Sequence, residues 1–162
     1  MAKSETNSPG TTAVSREQLI ELLNQDLSRE YQAIIAYVIY SQVLKGAQYM
    51  DIATELEKHA HQELDHALRV SKQLDYFDAY PVHRPKPVDI SEDNEEMLQF
   101  DLNAEDETVR NYRTRIRQAE SLGEYALAEE LREIVRNEQE HQIDLATALG
   151  VAPDPEKRKT KG

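Results

Sequence analysis

Six ionisable side chains occupy positions of this chain where helices should be greasiest, and they do so as a repeat. Glu30, Glu63 and His66 are matched, all at one constant offset, by Glu105, Glu138 and His141. The flanks repeat at the same offset: Asp26-Leu27 recurs as Asp101-Leu102, and Tyr37 as Tyr112. Each half thus carries one Glu and, equally far downstream in both, a Glu-x-x-His. In a helix, residues three apart share a face, so each Glu-x-x-His presents a carboxylate and an imidazole to the same side. The chain reads as two copies of one helical hairpin delivering ligand-type groups to a shared interior.

Segment boundaries support four helices. Ser15-Arg-Glu-Gln18 is a capping box, which starts a first helix expected to run to about Lys45 and to stop at Gly46. A second is predicted from about Met50 to Tyr76, a third from near Ser91 to Gly123, and a fourth to about Leu149, before Gly150. Pro81, Pro85 and Pro87 exclude helix between the second and third. Helices of this length span roughly 40 Å. The first and last connections are short and make antiparallel hairpins. The middle one, read as about 15 residues, covers up to ~50 Å when extended, enough to run the length of the bundle. The expected fold is all-α: a four-helix bundle of two antiparallel hairpins joined by one long crossover. Residues 1–14, rich in Ser, Thr, Gly and Pro, are expected to form a flexible arm; 15–150 the bundle; 151–162 a flexible charged tail.

Alternating steps of four and three define one inward stripe per helix. The first helix gives Leu23, Leu27, Glu30, Ile34, Tyr37, Ser41 and Leu44. The second gives Ile52, Leu56, His59, Glu63, His66 and Val70. The third gives Leu98, Leu102, Glu105, Val109, Tyr112 and Ile116, and the fourth Leu127, Leu131, Ile134, Glu138, His141 and Leu145. Each apolar stripe is interrupted at mid-length by a carboxylate, so the interruptions meet at one level. A lone charged residue in a chain with 31% charged residues is ordinarily solvated surface. Six ligand-type residues at a doubled spacing are not. Buried carboxylates are tolerable only when neutralised or paired, and two divalent cations cancel four negative charges. Imidazole with carboxylate and no thiolate disfavours structural zinc and favours exchangeable divalent ions, above all iron, whose change of charge carboxylates can follow. Tyr37 and Tyr112, seven positions beyond Glu30 and Glu105, are candidate hydrogen-bond donors to those carboxylates.

Composition narrows the class. The chain has 162 residues, no Cys and a net charge of −12. Without Cys it offers neither disulfides nor a thiolate iron site. The acidic balance disfavours nucleic acid and anionic membranes and attracts cations. The longest apolar run, Ala33 to Tyr40, is too short to span a bilayer, and the first residues lack a signal peptide's apolar core. A cytoplasmic protein without membrane contact is the expectation.

At these residues the sequence resembles the ferritin superfamily, and within it the bacterioferritins. The likeness covers about residues 15–150, including Glu92 to Leu98, Asp101-Leu-Asn-Ala-Glu105 and Asn137-Glu138-Gln-Glu-His141. It implies a ferritin-like bundle with a ferroxidase centre of two iron ions per chain inside one subunit. Glu30 and His66 would hold one iron, Glu105 and His141 the other, and Glu63 and Glu138 would bridge. Fe(II) would be oxidised by oxygen or hydrogen peroxide and stored as mineral in a homo-oligomeric shell. Bacterioferritins hold haem through a Met directly after the second-helix glutamate; here that position is Leu64, so no haem is expected. The family's inner-surface His and Asp are here Lys58 and Gln62, which implies another route for iron into the cavity. His59 and His61 lie nearby and read as a core-edge and a surface histidine, with weak substitution for that missing pair as the alternative. Positions 142–162 follow His141, and the end of that stretch carries Pro153, Pro155 and basic residues, so the fifth helix of 24-subunit shells is expected to be missing. A 12-subunit shell like that of the Dps mini-ferritins is therefore favoured over a 24-mer. Two alternatives remain open: a di-iron or di-manganese peroxidase-type enzyme, and a Dps-like protein that binds and protects DNA through Lys157, Arg158, Lys159 and Lys161.

Overall fold

The computed structural model describes residues 13–154 and 156. Residues 1–12 of the expected arm and the basic positions 157–159 and 161 lie outside the described residues. Four helices form the bundle: α1 (Arg16–Val43), α2 (Met50–Tyr76), α3 (Asn94–Ser121) and α4 (Tyr125–Leu149). A short 3-10 turn, Ala47–Tyr49, leads into α2. Among the described residues there is no strand, and no helix is long and apolar enough to cross a membrane.

The boundaries follow from capping chemistry. Ser15 Oγ accepts from Gln18 N at 3.1 Å while the Gln18 side chain accepts from Ser15 N at 2.8 Å. α1 ends just before the expected Lys45, where Leu44 leaves helical geometry. Gly46, at φ 115°, takes the chain around the corner. α3 begins at Asn94, slightly later than the expected Ser91. Asp93 supplies the N-cap, accepting from Glu96 N at 2.8 Å, and Ser91 Oγ instead accepts from Asp93 N. Gly150, at φ 70°, closes α4.

α1 packs chiefly on α2 and α3 on α4; the hairpins join through α1–α3 and α2–α4 contacts. The crossover, residues 77–93, contains no helix and lies along α1. Val82 N donates to Asn24 Oδ1 (2.8 Å), Lys86 N to Ser28 O (3.1 Å) and Gln32 Nε2 to Pro87 O (2.6 Å), and the Tyr40 hydroxyl donates to Asp89 O. The crossover therefore climbs from near the start of α1 to its end. There Asn94 exchanges two hydrogen bonds with the Lys45 backbone and α3 begins. α2 and α3 consequently run in the same direction. The inward stripes are buried as expected, except that Ile34 and Ile116 are only partly covered. The apolar core forms two clusters. One surrounds Leu19, Leu23 and Leu131, the other Leu56, Leu98 and Leu145, with the polar layer at the mid-length of the helices.

Candidate metal centre

Glu30, Glu63, His66, Glu105, Glu138 and His141 are each no more than 4% exposed, which rules out a solvated face. They converge in two groups whose ligand atoms lie within 4.8 Å of one another: Glu30, Glu63, His66 and Glu138 in one, and Glu63, Glu105, Glu138 and His141 in the other. Glu63 and Glu138 belong to both. His66 Nδ1 lies 3.0 Å from Glu63 Oε2, 3.1 Å from Glu138 Oε1 and 3.6 Å from Glu30 Oε2. His141 Nδ1 lies 2.9 Å from Glu63 Oε1, 3.1 Å from Glu138 Oε2 and 3.4 Å from Glu105 Oε1.

Several of these atoms have no hydrogen-bond partner despite their proximity: Glu30 Oε2, Glu63 Oε1, Glu138 Oε2 and His141 Nδ1. Buried polar atoms are rarely left unsatisfied, and when they cluster with donor atoms of the right type a cation is the simplest missing partner. The donor set therefore fits a pair of divalent ions.

The far side of each imidazole is fixed. His66 Nε2 faces Asn137 Oδ1 at 2.8 Å, and His141 Nε2 faces Gln62 Oε1 at 2.7 Å. An amide oxygen only accepts, so Nε2 carries a proton and Nδ1 is the ring nitrogen turned toward the carboxylates, where a metal ion would displace its proton. Tyr112 donates its hydroxyl to Glu30 and Tyr37 to Glu105. Each tyrosine thus supports the glutamate of the other hairpin. The amides cross in the same way, Gln62 of α2 serving His141 of α4 and Asn137 of α4 serving His66 of α2.

Electrostatics within the layer are severe. Burial, and then Glu138, pushes Glu63 well above the usual carboxylate range, and the same two causes bring Glu105 up to about 7. Burial would lower both imidazoles, but the surrounding carboxylates raise them far above the usual histidine value. Glu138 is also pushed up by burial, yet His66 and His141 on either side hold it well below its ordinary value. Burial and adjacent carboxylates raise Tyr37 and Tyr112, which keeps them protonated as donors. The field of the layer is one that draws positive charge.

A cavity of about 200 Å³ opens between α1, α3 and the crossover and reaches this layer. Glu30, Glu63, Glu105 and Glu138 line it, with Arg29, Gln32, Asp89 and Glu107 also on its wall. Arg29 is held to α3 by Ala104 O (2.9 Å), Thr108 Oγ1 (3.1 Å) and Glu107 (2.9 Å). Leu64 is half exposed on α2, and its hydrocarbon side chain offers no ligand atom. His59 is deeper than the edge position expected of it: 2% exposed and stacked on His141 at 3.9 Å between ring centres. Burial, and then His141, lowers it to about 4. His61 is exposed.

Sequence reasoning missed Gln62 and Asn137 as supports. The signal was present: they too stand at the repeat offset, and each directly precedes a shared glutamate. It also missed Arg115, whose guanidinium binds Asp26 at 2.6 and 3.0 Å across α1 and α3.

Residues 20–153 match the family model for the ferritin-like domain. A bacterioferritin from Brucella melitensis biotype 1 is 24% identical over 140 residues, covering 82% of this chain and 87% of that protein. Among solved structures, one of ferritin like, diiron-carboxylate proteins from Bacillus anthracis strain Ames matches with a TM-score of 0.79 and 30% identity. The match covers 84% of this chain and 99% of that one.

Proposed function

The chain belongs to the ferritin-like domain family, and from that premise we propose that it is a ferroxidase that takes up Fe(II), oxidises it within the bundle and stores the product inside a homo-oligomeric shell. The observation that carries this reading is the buried layer of four carboxylates and two imidazoles with unpartnered atoms facing one another. Two ferrous ions are the substrate. Glu30 and His66 hold one, Glu105 and His141 the other, and Glu63 and Glu138 span both. Each ion gives up one electron. Dioxygen takes the two electrons, with two protons, to hydrogen peroxide; hydrogen peroxide takes them, with two protons, to two waters.

The protein's contribution is placement and charge. Four carboxylates favour the higher oxidation state because added positive charge is better compensated there than in water. Tyr37 and Tyr112 hold Glu105 and Glu30 in orientation, and Gln62 and Asn137 hold the imidazole tautomers. The acidic cavity between α1, α3 and the crossover is the entry path, since its wall and floor attract cations. The bundle, residues 15–150, is the unit that carries the activity.

Anaerobic titration with Fe(II), followed by air or peroxide, tests the reading. A storage protein takes up many irons per chain after repeated additions; a peroxidase-type enzyme stops at two. Mass measurement of the intact assembly decides between twelve and twenty-four subunits, with twelve expected.

A further inference from the structure

The internal repeat exposes an asymmetry beside the buried layer. On α2, Glu55 and His59 lie one turn apart, and Asp144 of α4 comes against them, with His59 Nε2 3.0 Å from Asp144 Oδ2. One ligand atom from each of the three falls within 4.8 Å of the others. His59 is buried, and its Nδ1 has no hydrogen-bond partner, so Asp144 is its polar contact. The positions related by the repeat offset are Glu130 for Glu55, Ile134 for His59 and Arg69 for Asp144. At that second place the chain supplies its own cation: Arg69 binds Glu130 at 3.1 Å, Glu133 at 2.5 Å and Asp65 at 2.9 Å. At the first place the arginine is replaced by a third ligand-type side chain and the isoleucine by an imidazole. The nearby lysine, Lys58, pairs with Glu55 at 2.6 Å on a largely exposed side chain. A contact of that kind contributes little and is readily displaced.

We propose that Glu55, His59 and Asp144 form a third cation site, for a divalent first-row transition metal, separate from the two-metal layer. One imidazole and two carboxylates suit such an ion, and the two carboxylates are about 40% exposed, which leaves room for water to complete the coordination. The site needs no oxidation chemistry and stands independently of the ferroxidase reading.

Anaerobic titration of the full metal-free chain with Co(II), followed by calorimetry and the visible spectrum, tests it. Wild type takes three Co(II) per chain. The pair His59→Ile with Asp144→Arg copies the arrangement of Ile134 and Arg69 and takes two. Asp144→Asn, a change at an exposed carboxylate, weakens the third equivalent at least tenfold while leaving the thermal melt in place. The proposal is overturned if wild type binds only two, or if the His59→Ile, Asp144→Arg pair and Asp144→Asn both keep a third ion at unchanged affinity. A Glu30→Ala, Glu138→Ala chain separates the two readings. It should retain the ion that depends on Asp144, whereas retention of all three would sink the two-metal layer alone.

Discussion

Tyr37 and Tyr112 each donate to a glutamate of the opposite hairpin, and Gln62 and Asn137 each steady a histidine of the opposite hairpin. Groups that orient metal-binding side chains typically contribute about 10- to 100-fold in affinity. Tyr37→Phe should therefore weaken Fe(II) binding by about 10- to 100-fold, and because of the crossing the loss should fall on the ion that the proposed function assigns to Glu105. Titration of Fe(II) into the Tyr37→Phe and Tyr112→Phe chains would show one weakened equivalent in each; two weakened equally would contradict separate roles. Glu63→Ala removes a carboxylate common to both groups and should abolish the fast phase of Fe(II) oxidation in stopped flow. An unchanged fast phase would place the chemistry elsewhere.

At the level of elements, the crossover is held by hydrogen bonds to positions 24, 28, 32 and 40 of α1, spacings of four or eight that keep to one helical face. Asn24 makes one of these anchors through its side chain, accepting from the Val82 backbone N–H, which is partly buried. Asn24→Ala should leave that donor unsatisfied and lower stability by about 1–3 kcal/mol, read from chemical denaturation. A midpoint equal to wild type would mean that water replaces the amide. The start of α1 depends on Ser15 in the same sense. Ser15→Ala removes half of the capping box and should lower stability by about 1 kcal/mol.

Across the whole molecule, the repeat is a scaffold with local exceptions. Asp26 is buried and bound in a two-point contact by Arg115. The related carboxylate, Asp101, has Tyr40 at the position equivalent to Arg115, and its Oδ2 has no partner. Burial, and then Glu105, pushes Asp101 well above its ordinary value. Arg115→Ala strips the cation from a buried carboxylate and should destabilise the bundle by about 3–5 kcal/mol, seen as a fall in Tm. Replacing both partners together, Asp26→Leu with Arg115→Met, should recover most of it. If the double variant melts no higher than the single, the arginine acts through packing rather than charge.

Helix type, the caps at Ser15 and Gly150, the extended crossover and the inward position of all six ligand-type residues could be read from the chain alone. Periodicity, proline placement and capping are local properties, and a doubled pattern cancels the noise of a single one. What neighbours across the bundle do to one another was not local. Seven-residue spacing placed Tyr37 and Tyr112 near the layer but could not say that each reaches the glutamate of the other hairpin. The same holds for the amides of Gln62 and Asn137, for Arg115 on Asp26, and for Asp144 against His59. Those pairings depend on which helices lie side by side and at what height. That is decided by how the two hairpins pack, since a repeated local pattern does not say which helix of one half faces which helix of the other.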